Sequence, residues 1–256
     1  KKNVQNILKI DFDEIYNLAC PASPNKYQKD PIDTIKTNVL GSINLLELAK
    51  KNKAKIFQAS TSEVYGDPLI HPQDESYRGN VNIIGIRACY DEGKRLAESI
   101  FYDYFRTHNI DIKIARIFNT YGPHMNIDDG RVVSNFIISA LKNKPIVIYG
   151  NGKQTRSFCY VQDTLDGIVK LMNSKKSIKG PINIGSNKEI TILTLANKII
   201  RLTKSQSKII FKKKVQDDPV KRKPNLFLAR KHLNWQPKIN LETGIKNTIS
   251  YFQKKL

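Results

Sequence analysis

Apolar positions along this chain follow two alternating rhythms. Short runs rich in β-branched and aromatic residues, at 14–19, 55–60 and 112–117, read as strands. Between them the spacing turns helical. Ile35, Val39, Ile43, Leu46 and Ala49 form one stripe behind Pro31, a good first-turn residue. Leu96, Ile100, Phe101, Tyr104 and Phe105 form another along 90–107. Strand, helix, strand, helix, strand at these spacings predicts parallel βαβ units and hence a doubly wound α/β sheet. Beyond Pro123 the pattern changes. Helices are predicted over 132–141, 161–172, 193–202 and 242–252, strands over 146–149 and 181–185, and an irregular loop over 216–224. There is no internal repeat and no low-complexity linker.

In doubly wound sheets, ligands gather at the carboxyl ends of the strands. Three polar clusters fall there: the loop from Cys20 to Pro24, the turn Thr61-Ser62-Glu63, and Asn119 to Pro123. The helix beginning near Tyr90 lies between the last two. Tyr90 and Lys94 are one turn apart on one helix face. A cation so placed favours the phenolate, so Tyr90 is expected to exchange a proton near neutral pH. A lone Tyr-x-x-x-Lys is a weak signal, and most such pairs are ordinary helix surface. Its position beside three polar strand ends is what makes a site here the better reading.

Composition narrows the partners. A chain of 256 residues, 40% hydrophobic and 26% charged, is long and apolar enough to fold around a sizeable core. No apolar run approaches a membrane span, and Lys1 to Glu14 carry no signal-peptide core. Cys20, Cys89 and Cys159 are widely spaced and form no CxxC pair, which suits free thiols in a reducing cytoplasm and no metal centre. The net charge of +20 invites a nucleic-acid partner. The lysines, however, are scattered, the densest group being Lys212-Lys213-Lys214 with Lys221, Arg222 and Lys223 behind it. Solvated lysines and a small anionic substrate are therefore expected, with no nucleic acid and no membrane.

Leu18-Ala19-x-Pro21-Ala22-Ser23-Pro24, Ser60 to Pro68, Arg87 to Arg95, Asp129 to Phe136, and Asp217-Asp218-Pro219 with Arg222-Lys223-Pro224 together carry a resemblance. They are similar to motifs of the extended short-chain dehydrogenase/reductases in the NAD-dependent epimerase/dehydratase family. Among these they most resemble the UDP-glucuronate decarboxylases that make UDP-xylose. The likeness covers nearly the whole chain.

The resemblance implies that NAD oxidises the C4 hydroxyl of UDP-glucuronate. Tyr90 would be the base, Lys94 would hold its phenolate and the nicotinamide ribose, and Thr61 would hydrogen-bond the hydroxyl. The resulting β-keto acid loses CO2 and is reduced again, with Glu63 and Arg222 flanking the departing carboxylate to handle proton and charge. Leu18, Ala19, Cys20, Pro21, Thr37, Asn38 and Phe118 would line the cofactor together with Tyr90 and Lys94. Ser62, Asn119, Arg131, Tyr149, Gln154, Arg156 and Arg222 would meet the substrate, with Arg131 and Arg156 pairing bidentately with its diphosphate and Tyr149 stacking near the uracil.

One departure stands out. The family opens with a βαβ unit whose Gly-x-x-Gly-x-x-Gly turn holds the pyrophosphate, and this sequence has none before Leu18. The expectation is a Rossmann-like sheet lacking its first βαβ unit, plus a smaller α+β substrate domain. The dinucleotide-binding part would take 1–121 and about 158–186, the nucleotide-sugar part about 122–157 and 187–256. The resemblance also implies a homodimer built on helices 31–51 and 90–107. Rival readings are a C4 epimerase, a 4,6-dehydratase, and a non-catalytic basic binding protein. The dehydratase reading is weakened by Ser62, which stands where that enzyme carries its acid.

Overall fold

The computed structural model describes residues 11–213, 217, 219 and 221–256. Lys214, Gln216 and Asp218, which belong to the lysine cluster, the loop and the motif singled out above, lie outside the described residues. Strand β1 (Glu14–Asn17) leads through the one-turn helix α1 (Pro24–Tyr27) into α2 (Pro31–Asn52). Next come β2 (Lys55–Thr61), α3 (Ala88–His108) and β3 (Ile112–Ile117). They are followed by β4 (Thr120–Tyr121), α4 (Val132–Leu141), β5 (Ile146–Tyr149), β6 (Thr155–Ser157), β7 (Cys159–Tyr160) and α5 (Val161–Met172). β8 (Ile182–Ile184), β9 (Glu189–Thr191), α6 (Ile192–Thr203), β10 (Ile209–Lys212), α7 (Phe227–Leu233) and α8 (Leu241–Gln253) complete the order.

The main sheet runs β1-β2-β3-β8, parallel throughout. Alternation along its strands feeds two cores. Ile56 and Ile114 point to one face, where Leu46 and Ala49 of α2 and Phe101 of α3 cover them. Phe57 and Ala115 point to the other, against Leu171 and Met172 of α5 and Leu233 of α7. Helices on both faces make the fold doubly wound, and burial on both faces explains why β2 and β3 read as almost unbroken apolar runs.

Local chemistry sets the helix that leads toward the site. Asp30 caps α2, its Oδ1 accepting the Asp33 amide at 2.9 Å, with Pro31 in the first turn. Where α2 and α3 cross, Gly93 faces Asn38 so closely that a Cβ would lie 2.9 Å from the Asn38 amide nitrogen. Behind the sheet, Lys113 is wholly buried. Its ammonium donates to the carbonyls of Lys175 and Ile178, both at 2.8 Å, and of Ser174 at 3.3 Å, satisfying groups just past the end of α5.

A third core gathers Phe136 and Ile137 of α4, Ile146 and Ile148 of β5, Leu195 and Ile199 of α6, and Ile245 and Phe252 of α8. It forms the smaller α+β part. Here β10 pairs in parallel with β5. Neither β10 nor α7 stood out in the apolar pattern. Lysines and exposed Phe211 blur the first, and Arg230, Lys231 and His232 interrupt the second. Two positions expected to face the core, Ile35 and Leu96, are exposed instead. No helix among the described residues is long and apolar enough to cross a membrane.

Candidate active site

The carboxyl ends of β1, β2 and β3 open into a cavity of about 940 Å³, whose other walls come from α3, α4, β5 and the loop before α7. At its first edge Asn17 fixes the chain after β1. Its Nδ2 donates to Gln58 Oε1 at 2.7 Å and its Oδ1 accepts the Ala19 amide at 3.2 Å. Leu18 and Cys20 therefore reach the cavity, and α1 brings buried Tyr27 beneath it. The Tyr27 ring stacks on Tyr90, centroids 4.9 Å apart and planes 8° from parallel.

Beyond β2 the residues Ser62–Tyr65 make a 3-10 turn. Thr61 caps it, its hydroxyl accepting the Glu63 amide at 3.2 Å, and both Thr61 and Glu63 line the cavity. Thr61 is also in hydrogen-bond contact with Tyr90. Tyr90 and Lys94 share the α3 face turned to this turn. The lysine, however, donates to the Ala59 carbonyl at 2.9 Å and keeps its ammonium 5.8 Å from the phenol ring centre.

Packing around Tyr90 works against the expected proton exchange near neutral pH. Burial pushes the Tyr90 phenol above its ordinary value, the hydrogen bond with Thr61 pulls it back only in part, and Glu63 and Asp91 add negative charge nearby. Burial likewise lowers Lys94.

The adjoining wall is ionic. Arg222, 2% exposed, closes on Glu63 as a fork, with Nη1 donating to Oε1 and Nη2 to Oε2, the latter at 3.0 Å. Arg87 Nη2 donates to the same carboxylate. Burial alone would raise Glu63, but Arg222 and Arg87 outweigh it and hold the carboxyl down at about 2. Arg222 is thus no solvated loop charge, and Glu63 is a fixed carboxylate rather than a proton donor.

Ser62, Phe118, Asn119, Arg131, Tyr149, Gln154 and Arg156 all line the same cavity. Arg131 is already engaged by Asp129, Nη2 to Oδ1 at 3.0 Å. Tyr149 is half exposed at the end of β5, and Gln154 donates to its carbonyl at 2.7 Å. Arg156, largely buried, donates to the Thr155 carbonyl at 2.8 Å.

Ala19, Pro21, Thr37 and Asn38 do not reach the cavity wall. Asn38 lies buried in α2 and donates to Cys20 Sγ at 3.2 Å and to the Thr34 carbonyl at 3.1 Å. Its contact is with the loop that presents Cys20. All three cysteines are free, with Cys20 only half-buried. Among the described residues no cluster could hold a metal ion.

Sequence reasoning did not single out Tyr27, Arg87 or Asp91. Arg87 and Asp91 sit within one turn of Tyr90, so neighbourhood to the suspected base was the available signal.

The residues present fit the nicotinamide-ribose end of a dinucleotide. The Lys94 ammonium spends one of its three donors on Ala59, which leaves N–H groups for a pair of vicinal hydroxyls. The sequence supplies no Gly-x-x-Gly-x-x-Gly turn for the pyrophosphate.

A doubly wound sheet with Thr, Tyr and Lys converging at its carboxyl edge, beside a smaller α+β part, defines the Rossmann-like class of extended short-chain dehydrogenase/reductases. The model of the family described as GDP-mannose 4,6 dehydratase matches residues 1–248, and the chain belongs to that family. It is 54% identical over 256 residues to UDP-glucuronic acid decarboxylase 3 of Arabidopsis thaliana, spanning all of this chain and 74% of that protein. To UDP-glucuronic acid decarboxylase 1 of Xenopus tropicalis it is 50% identical over 249 residues, 97% of this chain and 59% of the relative. A solved structure of UDP-glucuronic acid 4-epimerase from Bacillus cereus, in complex with UDP-4-deoxy-4-fluoro-glucuronic acid and NAD, superimposes with a TM-score of 0.89 at 27% identity. That match covers 100% of this chain and 79% of the epimerase.

Proposed function

We propose that this protein is an NAD-dependent UDP-glucuronate decarboxylase, a lyase that converts UDP-glucuronate to UDP-xylose. The observation that carries the reading is two groups in one cavity: Thr61, Tyr90 and Lys94, and beside them the Glu63–Arg222–Arg87 cluster. Relatives at 50–54% identity bear the decarboxylase name.

Tyr90, ionised first by losing its proton to solvent beside the Lys94 ammonium, takes the proton of the C4 hydroxyl, which Thr61 positions. Lys94 orients the cofactor ribose and supplies positive charge beside the phenol as it ionises. NAD, held at its nicotinamide ribose by Lys94, would supply reversible hydride acceptance at C4. The 4-keto group makes the sugar carboxylate a β-keto acid. Arg222 orients that carboxylate, and Glu63 directs the guanidinium through its fork. Arg131 and Arg156 serve the diphosphate, Tyr149 the base, and Asn119, Ser62 and Gln154 the remaining polar groups.

In this reading the sheet and its helices form the dinucleotide part, 1–121 and about 158–186, and the rest the nucleotide-sugar part. The protein works as a cytoplasmic homodimer. Exposed Ile32, Ile35 and Leu40 on α2 and Leu96 on α3 support a helix-to-helix interface between copies.

The test is incubation with NAD and UDP-glucuronate, followed by product analysis. CO2 with UDP-xylose is the expected outcome. UDP-sugar recovered with only C4 inverted would make it an epimerase, and binding without turnover would make it a binding protein.

A further inference from the structure

Proton accounting on the proposed reaction leaves one proton without a source. Tyr90 takes a proton from the C4 oxygen and gives it back when C4 is reduced again, so its account closes. Loss of CO2 from a carboxylate leaves an electron pair on C5, and that carbon must gain a proton to form its new C–H bond. Glu63 cannot be the reservoir, because two guanidiniums keep it ionised. Arginines do not release protons.

Behind the ionic wall lies a second, smaller chamber of about 210 Å³. Glu63 and Arg87 line both it and the main cavity, so they form the partition between the two. The chamber is polar, with Asp67, Asn80, Asn82, Asp91 and Asp217 in its walls, and has room for several waters. Asp91 is 6% exposed, and its Oδ1 is buried without a hydrogen-bond partner. Asp91 stands one turn after Arg87 on α3 and immediately follows Tyr90.

We propose that Asp91 is a positioning residue that relays the C5 proton from solvent, through this chamber and across the Glu63 partition, to the substrate. The O–H bond of the Asp91 carboxyl breaks toward a chamber water. Water carries that proton past the Glu63 carboxylate, which stays ionised, to C5 as the C5 electron pair forms the C–H bond, and a solvent proton restores Asp91. The inference rests on the decarboxylase reading.

The groups facing Asp91 favour a protonated carboxyl near neutral pH. Glu63 of the 3-10 turn, Arg222 of the loop before α7 and Tyr27 of α1 face it from other elements. Arg87, Cys89, Tyr90 and Glu92 do so from its own helix, and Asp67 and Asp217 share the chamber walls. Burial, then the negative charge of Glu63, raises Asp91, against the pull of Arg87 and Arg222, to about 7. Two neighbouring carboxyls pushed apart in this way suit an acid and a fixed anion.

The experiment compares wild type, Asp91→Asn and Asp91→Glu. In the protein without cofactor or substrate, difference infrared spectroscopy follows the carbonyl band of a protonated carboxyl. It should fade as pH rises through about 7 and be missing in Asp91→Asn. With NAD and UDP-glucuronate, Asp91→Asn should release CO2 and form product roughly 10²-fold more slowly. It should lose the fall in rate above neutral pH while NADH absorbance accumulates, and Asp91→Glu should restore much of the rate. An Asp91→Asn pH profile that superimposes on wild type overturns the relay alone. So does a band that fades in the ordinary carboxylate range, or C4 oxidation slowed equally in both variants, which marks a structural role. If wild type releases no CO2, the decarboxylase reading falls and takes the relay with it.

Discussion

On the Tyr90 wall of the cavity a phenol is held by a stacked ring and a lysine by a backbone carbonyl, whereas on the Glu63 wall two guanidiniums close on one carboxylate. The first wall keeps its groups in place without fixing their charge, so a proton can leave and return. The second fixes charge and geometry together, which suits holding a carboxylate while its bond to carbon breaks. The cost of losing a member differs accordingly. Truncating the first wall removes chemistry, while truncating the second also strands a buried ion.

The sharpest way to break the contrast is Tyr90→Phe. It keeps the stack on Tyr27 and loses only the proton acceptor, so NADH formation on adding UDP-glucuronate should fall on the order of 10²–10⁴-fold with nucleotide-sugar binding nearly intact. Turnover within a few-fold of wild type would remove Tyr90 from its role.

Arg222→Ala attacks the other wall. NADH should still form while CO2 release is strongly depressed. Urea unfolding should show a loss of about 3 kcal/mol, the lower end for breaking a buried pair, because Arg87 still holds Glu63.

Acid titration sharpens the comparison. Glu63 lies at about 2 in the folded protein, below its ordinary 4.5. Its contribution to stability is therefore fully present above pH 4.5 and is lost as pH falls toward 2. The stability gap between wild type and Glu63→Gln, read from thermal unfolding, should narrow over that window by up to about 3 kcal/mol. Asp91 has the opposite sign. Its folded value of about 7 exceeds its ordinary 3.8, so its contribution is present below 3.8 and lost as pH rises through 7.

The smallest effect is expected at Tyr27, whose hydroxyl is buried without a partner. Tyr27→Phe removes that orphan and keeps the stack, so stability should hold or rise by up to about 1 kcal/mol in thermal unfolding.

What could be read in advance follows the same division. The helices Pro31–Asn52 and Ala88–His108 and the strands at 55 and 112 were legible because their apolar faces repeat regularly. Arg222 is 159 residues from Glu63, so no local pattern links them, and only the resemblance pointed to the pair. The surroundings of Tyr90 are not legible in the sequence, because spacing puts Lys94 one turn away but cannot say that its ammonium turns to Ala59, nor how deeply the phenol is buried. Arg131, expected at a diphosphate, has its acid partner two positions back at Asp129. The sequence showed that acid but not the bond.

Lys113 turns the fold into its own clock. Most lysines of this chain stand in solvent, where an amine-acylating reagent reaches them at once. The Lys113 ammonium is enclosed and shared among three carbonyls past the end of α5, so acylation must wait until that segment opens. Mass spectrometry of the peptide that carries it would then count large openings of the molecule against a background of prompt labelling elsewhere. The rate read at that one side chain would report how often this part of the sheet opens.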